Sequence, residues 1–431
     1  MAERTVAFAT LGCKTNQYES EAMASLFRQA GYQVVDFEQP ADVYIINTCS
    51  VTHLSNRKSR QLIRRAARRG GLVVVTGCYA QTAPGEVLAI EGVDLVVGTR
   101  DRQQLVQLVE EARAGTEPLA RVENIMEAAA FEEIAPVLEE GRARAFVKIQ
   151  EGCNNFCSYC IIPYARGPQR SREPVRVLAE IQALVERGYQ EVVLTGICIG
   201  AYGREGGEGD LAWLVEKICR ETGIRRLRLG SIEPTDLTPA LLEIMADYPQ
   251  VCPHLHIPLQ SGCDVTLREM NRHYSTYEYA RLLGVVREFL PQAAITTDVI
   301  VGFPGESGEH FAATKDFISQ MGFARLHVFP YSPRQGTPAA ERTDQVPAAV
   351  KEKRVKELNQ LGRQLARNYG QRFLETIQAV LVEQEYKDGF WEGLTANYLR
   401  VLLPARPEER GQLISVRLIG WRGDYLVGER L

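Results

Sequence analysis

Each of the first three short apolar runs of this chain ends on a cysteine. Thr5–Thr10 leads into Leu-Gly-Cys13, Val43–Asn47 into Asn-Thr-Cys49, and Leu72–Thr76 into Thr-Gly-Cys78. Helical patterns over Glu19–Ala30 and Asn56–Arg69 separate them, and a further strand pattern at Val93–Val97 precedes a helical one at Arg102–Arg113. This alternation predicts a small doubly wound parallel sheet across residues 1–112. Parallel strands present their C-terminal ends along one edge, so cysteines distant in sequence meet in space. One cysteine at a strand end would be unremarkable, because free cysteine is commonly buried. Three of three point to a three-thiolate site.

A second triplet is local. Cys153, Cys157 and Cys160 lie in Glu-Gly-Cys-Asn-Asn-Phe-Cys-Ser-Tyr-Cys, a C-x-x-x-C-x-x-C spacing. Three thiolates this close can hold three irons of a cubane cluster, leaving the fourth iron open to bind a small molecule and pass it an electron. Structural zinc calls for four ligands, and no His or fourth Cys lies near this loop. A disulfide reading fails on the odd count and on the absence of any export pattern.

Strand and helix alternation resumes around that triplet. Strands are expected at Ala145–Gln150, Glu191–Thr195, Arg226–Gly230, His254–Pro258, Thr296–Val301 and Arg325–Phe329, with helices between them. The pattern over 143–370 fits a partial parallel (β/α)6 barrel, whose site would lie at the C-terminal strand ends. A charged helix, about Pro347–Tyr369, leads out of it. Residues 113–142 read as a linker with little strand or core pattern. Residues 371–431 hold five short strand patterns, with turns at Asp388-Gly389 and Gly420–Gly423, and predict a small OB-like β-barrel.

A chain of 431 residues with ordinary apolar and charged fractions accommodates two or three domains. No run is long and apolar enough to span a bilayer. Ten cysteines without a signal-peptide pattern point to a reducing cytoplasm, where cysteines serve metal or redox chemistry. The net charge of −4 averages over basic patches. Arg57, Lys58, Arg60, Arg64, Arg65, Arg68 and Arg69 crowd one helix from which neutralising glutamates are absent, which suits tracking of phosphates. The default for such a run is a solvated face. In the terminal segment Arg400 and other bases interleave with Trp391 and other aromatics, a composition suited to stacking on unpaired nucleotides.

With both triplets in place, nearly the whole chain resembles the methylthiotransferases of the radical S-adenosylmethionine superfamily. Leu-Gly-Cys13-Lys-Thr-Asn, Ile-Asn-Thr-Cys49-Ser-Val-Thr, Lys58-Ser-Arg-Gln and Thr-Gly-Cys78-Tyr-Ala-Gln look most like the branch acting on N6-threonylcarbamoyladenosine in tRNA. The resemblance implies that Cys13, Cys49 and Cys78 hold an auxiliary 4Fe–4S cluster carrying the sulfur to be donated. It implies that Cys153, Cys157 and Cys160 hold the 4Fe–4S cluster that cleaves S-adenosylmethionine to a 5′-deoxyadenosyl radical. It also implies a C-terminal TRAM domain that binds RNA, methylthiolation at C2 of the adenine at tRNA position 37, and as partners a tRNA anticodon stem-loop, an external electron donor and a sulfur source, with no membrane.

Some residues carry two readings each. Glu233 in Ser-Ile-Glu-Pro could order the ribose or amino group of the cofactor, or form a salt bridge inside the barrel. Gln260 and Ser261 in Leu-Gln-Ser-Gly and Asp298 in Thr-Asp-Val-Ile are further inward candidates for S-adenosylmethionine contacts. Cys198 matches no ligand position and reads as an unliganded thiol. The competing functions are the same chemistry on isopentenyladenosine or on a ribosomal-protein aspartate, a non-catalytic iron–sulfur redox sensor that binds RNA, and a zinc-dependent RNA-binding module.

Overall fold

The structure, a computed structural model, describes residues 4–134, 143–206, 208–387 and 389–431. It divides into two compact units. The first comprises Met1–Leu138, Lys148–Arg172 and Ser332–Ala340; the second comprises Glu139–Val147, Glu173–Tyr331 and Glu341–Leu431.

The first unit is built on a parallel six-stranded sheet. Its strands are β1 (Thr5–Thr10), β2 (Gln33–Val35), β3 (Val43–Thr48), β4 (Leu72–Gly77), β5 (Leu95–Val97) and β6 (Leu119–Arg121), in the order β2-β1-β3-β4-β5-β6. All six residues of β3 are buried, as expected for the middle of a sheet covered on both faces. Helix α1 (Lys14–Gln29) follows β1, and α2 (His53–Ala67) follows β3. Ile46, Val73 and Val75 pack with Ile63 and Ala66 of α2, while Val6, Ile45 and Val74 pack with Met23 and Phe27 of α1. The doubly wound expectation therefore holds.

Two local expectations need correction. The segment after residue 113 is not empty of strand, because β6 pairs in parallel register with β5 and Ile125 is buried. Its three residues, Leu-Ala-Arg, carry only two apolar side chains, too short a signal to stand out from the surrounding glutamates. Helix α2 begins at His53, where the Thr52 hydroxyl accepts from the Ser55 amide 3.1 Å away, and ends at Ala67. Arg68 and Arg69 lie beyond it. Residues 135–142 of the expected linker, and Asp388 of the expected turn, lie outside the described residues.

The second unit carries six parallel-barrel strands as two three-stranded groups. Arg226–Leu229 pairs with Glu191–Thr195, which neighbours Arg144–Lys148; His254–His256, Ala294–Val301 and Arg325–Pro330 form the other group. Parallel bridges Leu227–Val251 and Ser231–His256 join the two groups. A long helix, Ala348–Gln371, runs on from Pro347. The last five strands, Ile377–Glu385, Phe390–Thr395, Arg400–Pro404, Leu413–Arg422 and Tyr425–Arg430, close into a barrel. Among the described residues no helix is long and apolar enough to cross a membrane.

Candidate metal centre

The three strand-end cysteines come together in the first unit. Cys13 stands just before α1, Cys49 directly follows β3, and Cys78 directly follows β4. Gly12 has φ +116°, and a Cβ there would lie 3.0 Å from the Cys49 Cβ. Gly77, at φ +93°, leaves no room for a side chain against Asn47 and the Thr48 backbone, 2.4–2.7 Å away. Glycine before Cys13 and before Cys78 is thus the condition for close approach to the Cys49 loop. Asn16 ties the loops further: its Nδ2 donates to the carbonyls of Leu11 at 2.8 Å and Thr48 at 3.0 Å, and its Oδ1 lies 3.6 Å from the Cys13 sulfur.

The thiols share one electrostatic environment. Burial pushes the Cys49 thiol up, and the neighbouring Cys13 adds to the rise. Burial pushes Cys78 up to about 12, opposed by Arg166 and reinforced by Cys49 and Cys13. Burial disfavours the thiolates of Cys49 and Cys78, and bound iron would supply the positive charge that favours them. The soft all-sulfur donor set fits an iron–sulfur cluster. Among the described residues no group of three or more His, Cys, Asp or Glu is placed to share a single metal ion; a cubane asks instead for one thiolate per iron.

Arg166 was not singled out from the sequence. It ends the short helix Ile162–Arg166, is fully buried, and donates from Nε to the Cys78 sulfur at 3.2 Å. Its Nη2 donates to Asn16 Oδ1 at 2.7 Å and its Nη1 faces Glu19 and Glu151. Lys148 also pairs with Glu19, at 2.7 Å, and with Glu151; Arg102 lies 2.8 Å from Glu19. Burial alone would push the Glu19 carboxyl up, but Arg102, Arg166 and Lys148 hold it well below the usual carboxylate range. The available signal was the run Ala-Arg-Gly-Pro-Gln-Arg-Ser-Arg after Cys160, where arginines crowd a segment too broken by Gly and Pro to be a solvated helix.

The local triplet belongs to the same unit. Cys157 is buried, and Cys153 and Cys160 are partly exposed. The loop is fastened at its base: the Cys153 amide donates to the Gly167 carbonyl at 3.0 Å, and the Cys160 amide to the Cys157 carbonyl at 2.9 Å. Gly152, at φ +76°, faces the Pro168 carbonyl so closely that a Cβ would lie 1.9 Å from it. Phe156 takes a positive φ of 44°, a conformation rare outside glycine, and its ring meets Tyr164 edge-on at 6.0 Å.

The second unit sorts the remaining candidates. Glu233 forms an ion pair with Arg272, the salt-bridge alternative considered above. Asp298 is partly exposed and lies 3.3 Å from His256 Nε2. Gln260, at φ +63°, hydrogen-bonds through its backbone to Asp298 and Ile300, which leaves its side chain partly exposed at a strand end. Ser261 is 1% exposed and its hydroxyl meets that of Thr314 at 3.2 Å, so it faces the protein interior instead of a ligand. The Cys198 sulfur lies 3.4 Å from Asp236.

The basic helix is only partly unneutralised. Glu38, distant in sequence, pairs with Arg65 and with Arg69 at 2.7 Å, and Arg60 reaches the Tyr79 hydroxyl at 3.2 Å. Arg57, Lys58, Arg64 and Arg68 are exposed. In the terminal barrel Trp391 is 8% exposed and packs in the core, which takes it off any stacking face. Arg400 is partly exposed, pairs with Glu392 at 2.8 Å and lies over the Tyr425 ring.

Comparison with known proteins agrees with this architecture. Residues 5–98 match the family described as uncharacterized protein family UPF0004, and residues 147–318 match the radical SAM superfamily. The chain is 45% identical to the threonylcarbamoyladenosine tRNA methylthiotransferase MtaB of Bacillus subtilis, over 96% of this chain and 94% of that one. It is 38% identical to the protein of the same name from Aquifex aeolicus, over 95% and 99%. It is 36% identical to the tRNA-2-methylthio-N(6)-dimethylallyladenosine synthase of Moorella thermoacetica, over 99% and 98%. Among solved structures, the radical S-adenosylmethionine methyltransferase TsrM of Kitasatospora setae aligns with a TM-score of 0.59 at 16% identity, covering 78% of this chain and 77% of that one, a likeness of fold.

Proposed function

The chain belongs to the radical S-adenosylmethionine tRNA methylthiotransferases, and we propose that it methylthiolates C2 of N6-threonylcarbamoyladenosine at position 37 of tRNA. The observation that carries the choice of base is the 45% identity over 96% of the chain to an enzyme named for threonylcarbamoyladenosine, against 36% for one named for dimethylallyladenosine. Cys13, Cys49 and Cys78 serve as ligands of an auxiliary 4Fe–4S cluster, and Cys153, Cys157 and Cys160 as ligands of the cluster that engages S-adenosylmethionine.

Bound clusters and S-adenosylmethionine supply the one-electron chemistry that an aromatic C–H demands, because that bond offers neither an acidic proton nor a leaving group. The protein's own residues bind and orient. Asn16 and the glycines before Cys13 and Cys78 hold the auxiliary thiols at one sheet edge. Gln260 and Asp298, both partly exposed, and Glu233, if released from Arg272, are the barrel side chains proposed to contact the cofactor. Arg57, Lys58, Arg64 and Arg68 neutralise phosphates of the anticodon stem-loop, whose unpaired adenosine needs little unstacking. In this reading the auxiliary-cluster domain takes in residues 1–112 together with β6 of the following segment, 143–370 form the radical barrel and 371–431 a TRAM-type RNA-binding barrel.

Mass spectrometry of tRNA nucleosides from a deletion strain tests the reading. The expected result is loss of 2-methylthio-N6-threonylcarbamoyladenosine with accumulation of its unthiolated precursor. Unchanged levels overturn the assignment, and loss of the dimethylallyl product instead transfers it to that base.

A further inference from the structure

We propose that Arg166 is the positioning residue of the Cys13–Cys49–Cys78 centre, fixing the Cys78 sulfur and raising the reduction potential of iron held there. This rests on the reading that these three cysteines hold a 4Fe–4S cluster.

The guanidinium is fixed through its in-plane N–H edges. Nε donates to the Cys78 sulfur at 3.2 Å, while Nη2 donates to Asn16 Oδ1 at 2.7 Å. Asn16 in turn reaches the carbonyls of Leu11 and Thr48, the backbone beside Cys13 and Cys49. Two side chains therefore touch all three cysteine loops. The planar fork fixes these directions together, which a lysine ammonium cannot do. Glu19 and Glu151 hold the far side of the guanidinium in place, and Glu19 is itself gripped by Lys148 and Arg102.

The consequence is electronic as well as geometric. Hydrogen bonds to cluster sulfurs and charge in the surroundings set the potential of iron–sulfur centres. A fully buried cation donating to a ligating sulfur favours the more negative, reduced form, because little water screens it. Arg102 belongs to the same buried group and pairs with Glu19 and Glu132. It supplies a control for the general effect of disturbing that group.

The test uses the full-length chain carrying Cys153→Ala, Cys157→Ala and Cys160→Ala, reconstituted anaerobically so that iron can load only the auxiliary site. Its potential is read by electron paramagnetic resonance during dithionite titration. Arg166→Lys keeps a cation, and the charge-neutral Arg166→Gln removes it while Glu19 stays paired with Lys148 and Arg102 and Glu151 with Lys148. The charge-neutral variant is expected to lower the reduced-to-oxidised ratio at fixed potential about tenfold, equal to 59 mV for one electron. Arg166→Lys shifts it less in the same direction and changes the resonance lineshape, and Arg102→Lys leaves it unmoved. An unchanged potential in Arg166 variants with full iron overturns the proposal. So does an equal shift in Arg102→Lys, or iron loss common to all variants, which is what a purely structural role predicts. If the unsubstituted auxiliary site itself binds no iron, the cluster reading fails instead.

Discussion

Arg228 lies against the face of Tyr398, its guanidinium carbon 4.6 Å from the ring centroid, while the same guanidinium grips Glu191 at 2.8 Å. Arg228 is almost fully buried and Glu191 wholly so. The contact joins the barrel strand Arg226–Leu229 to the terminal five-stranded barrel, since Arg228 also donates to the carbonyls of Thr395 and Ala396. Tyr398→Leu is expected to cost about 2 kcal/mol through loss of a desolvated cation–π contact. Arg228→Met removes the nearest partner of a buried carboxylate, leaving Arg226 and Arg144 at 3.7 and 3.8 Å, and is expected to cost about 3 kcal/mol. Urea unfolding followed by tryptophan fluorescence measures both.

The same carboxylate sets a pH dependence. Burial pushes the Glu191 carboxyl up, but Arg228, with Arg144 and Arg226, pulls it below the usual range. Its folded value is therefore depressed, so its stabilisation is present above the unfolded value of about 4.3 and is lost as pH falls through the folded one. Glu191→Gln is expected to be less stable than the parent at pH 7, with the gap narrowing below about pH 4.3. Unfolding midpoints compared across that range decide the point; a pH-independent gap would falsify it.

The two cysteine triplets should separate cleanly. Cys13→Ala, Cys49→Ala or Cys78→Ala is expected to remove roughly half of the bound iron and abolish methylthiolation while leaving reductive formation of 5′-deoxyadenosine. Cys153→Ala, Cys157→Ala or Cys160→Ala is expected to remove the other half and the 5′-deoxyadenosine with it. Iron analysis and product chromatography read each outcome.

RNA affinity should follow the exposed cations and not the whole basic helix. Replacing Arg57, Lys58, Arg64 and Arg68 with alanine is expected to lower the salt slope of tRNA binding by about 3, as four phosphate contacts would. Arg65→Ala with Arg69→Ala is expected to change it by less than about 1, because Glu38 already engages those two side chains. Trp391→Phe should destabilise the terminal barrel without changing tRNA affinity. Titrations at several salt concentrations test all three.

The alternation of apolar runs and helices made the two architectures legible, and strand-end cysteines foretold the meeting of Cys13, Cys49 and Cys78 because parallel strands share a C-terminal edge. The terminal barrel was legible from its five short runs and turns. What escaped was charge that had gone inside. Glu19, Lys148 and Arg166 look like surface residues in sequence, yet they are buried because Glu19 meets the other two from far along the chain, and Glu151 is drawn in with them. Glu38 was invisible to the reading of the basic helix for the same reason, as pairing over such separations leaves no periodic trace. Trp391 was misread because a strand of a small closed barrel presents aromatics to the core as readily as to a ligand, and composition cannot tell which.

After β2 flanks β1 on one side, the order β1-β3-β4-β5-β6 adds each later strand to the other edge, in the order in which it leaves the ribosome. A nascent chain completes the Cys13–Cys49–Cys78 cradle once β4 and Cys78 have emerged, while Arg166 and the second triplet are still untranslated. Metal delivery during translation would meet the two sites one after the other, the N-terminal one first and without the cation that later closes over it.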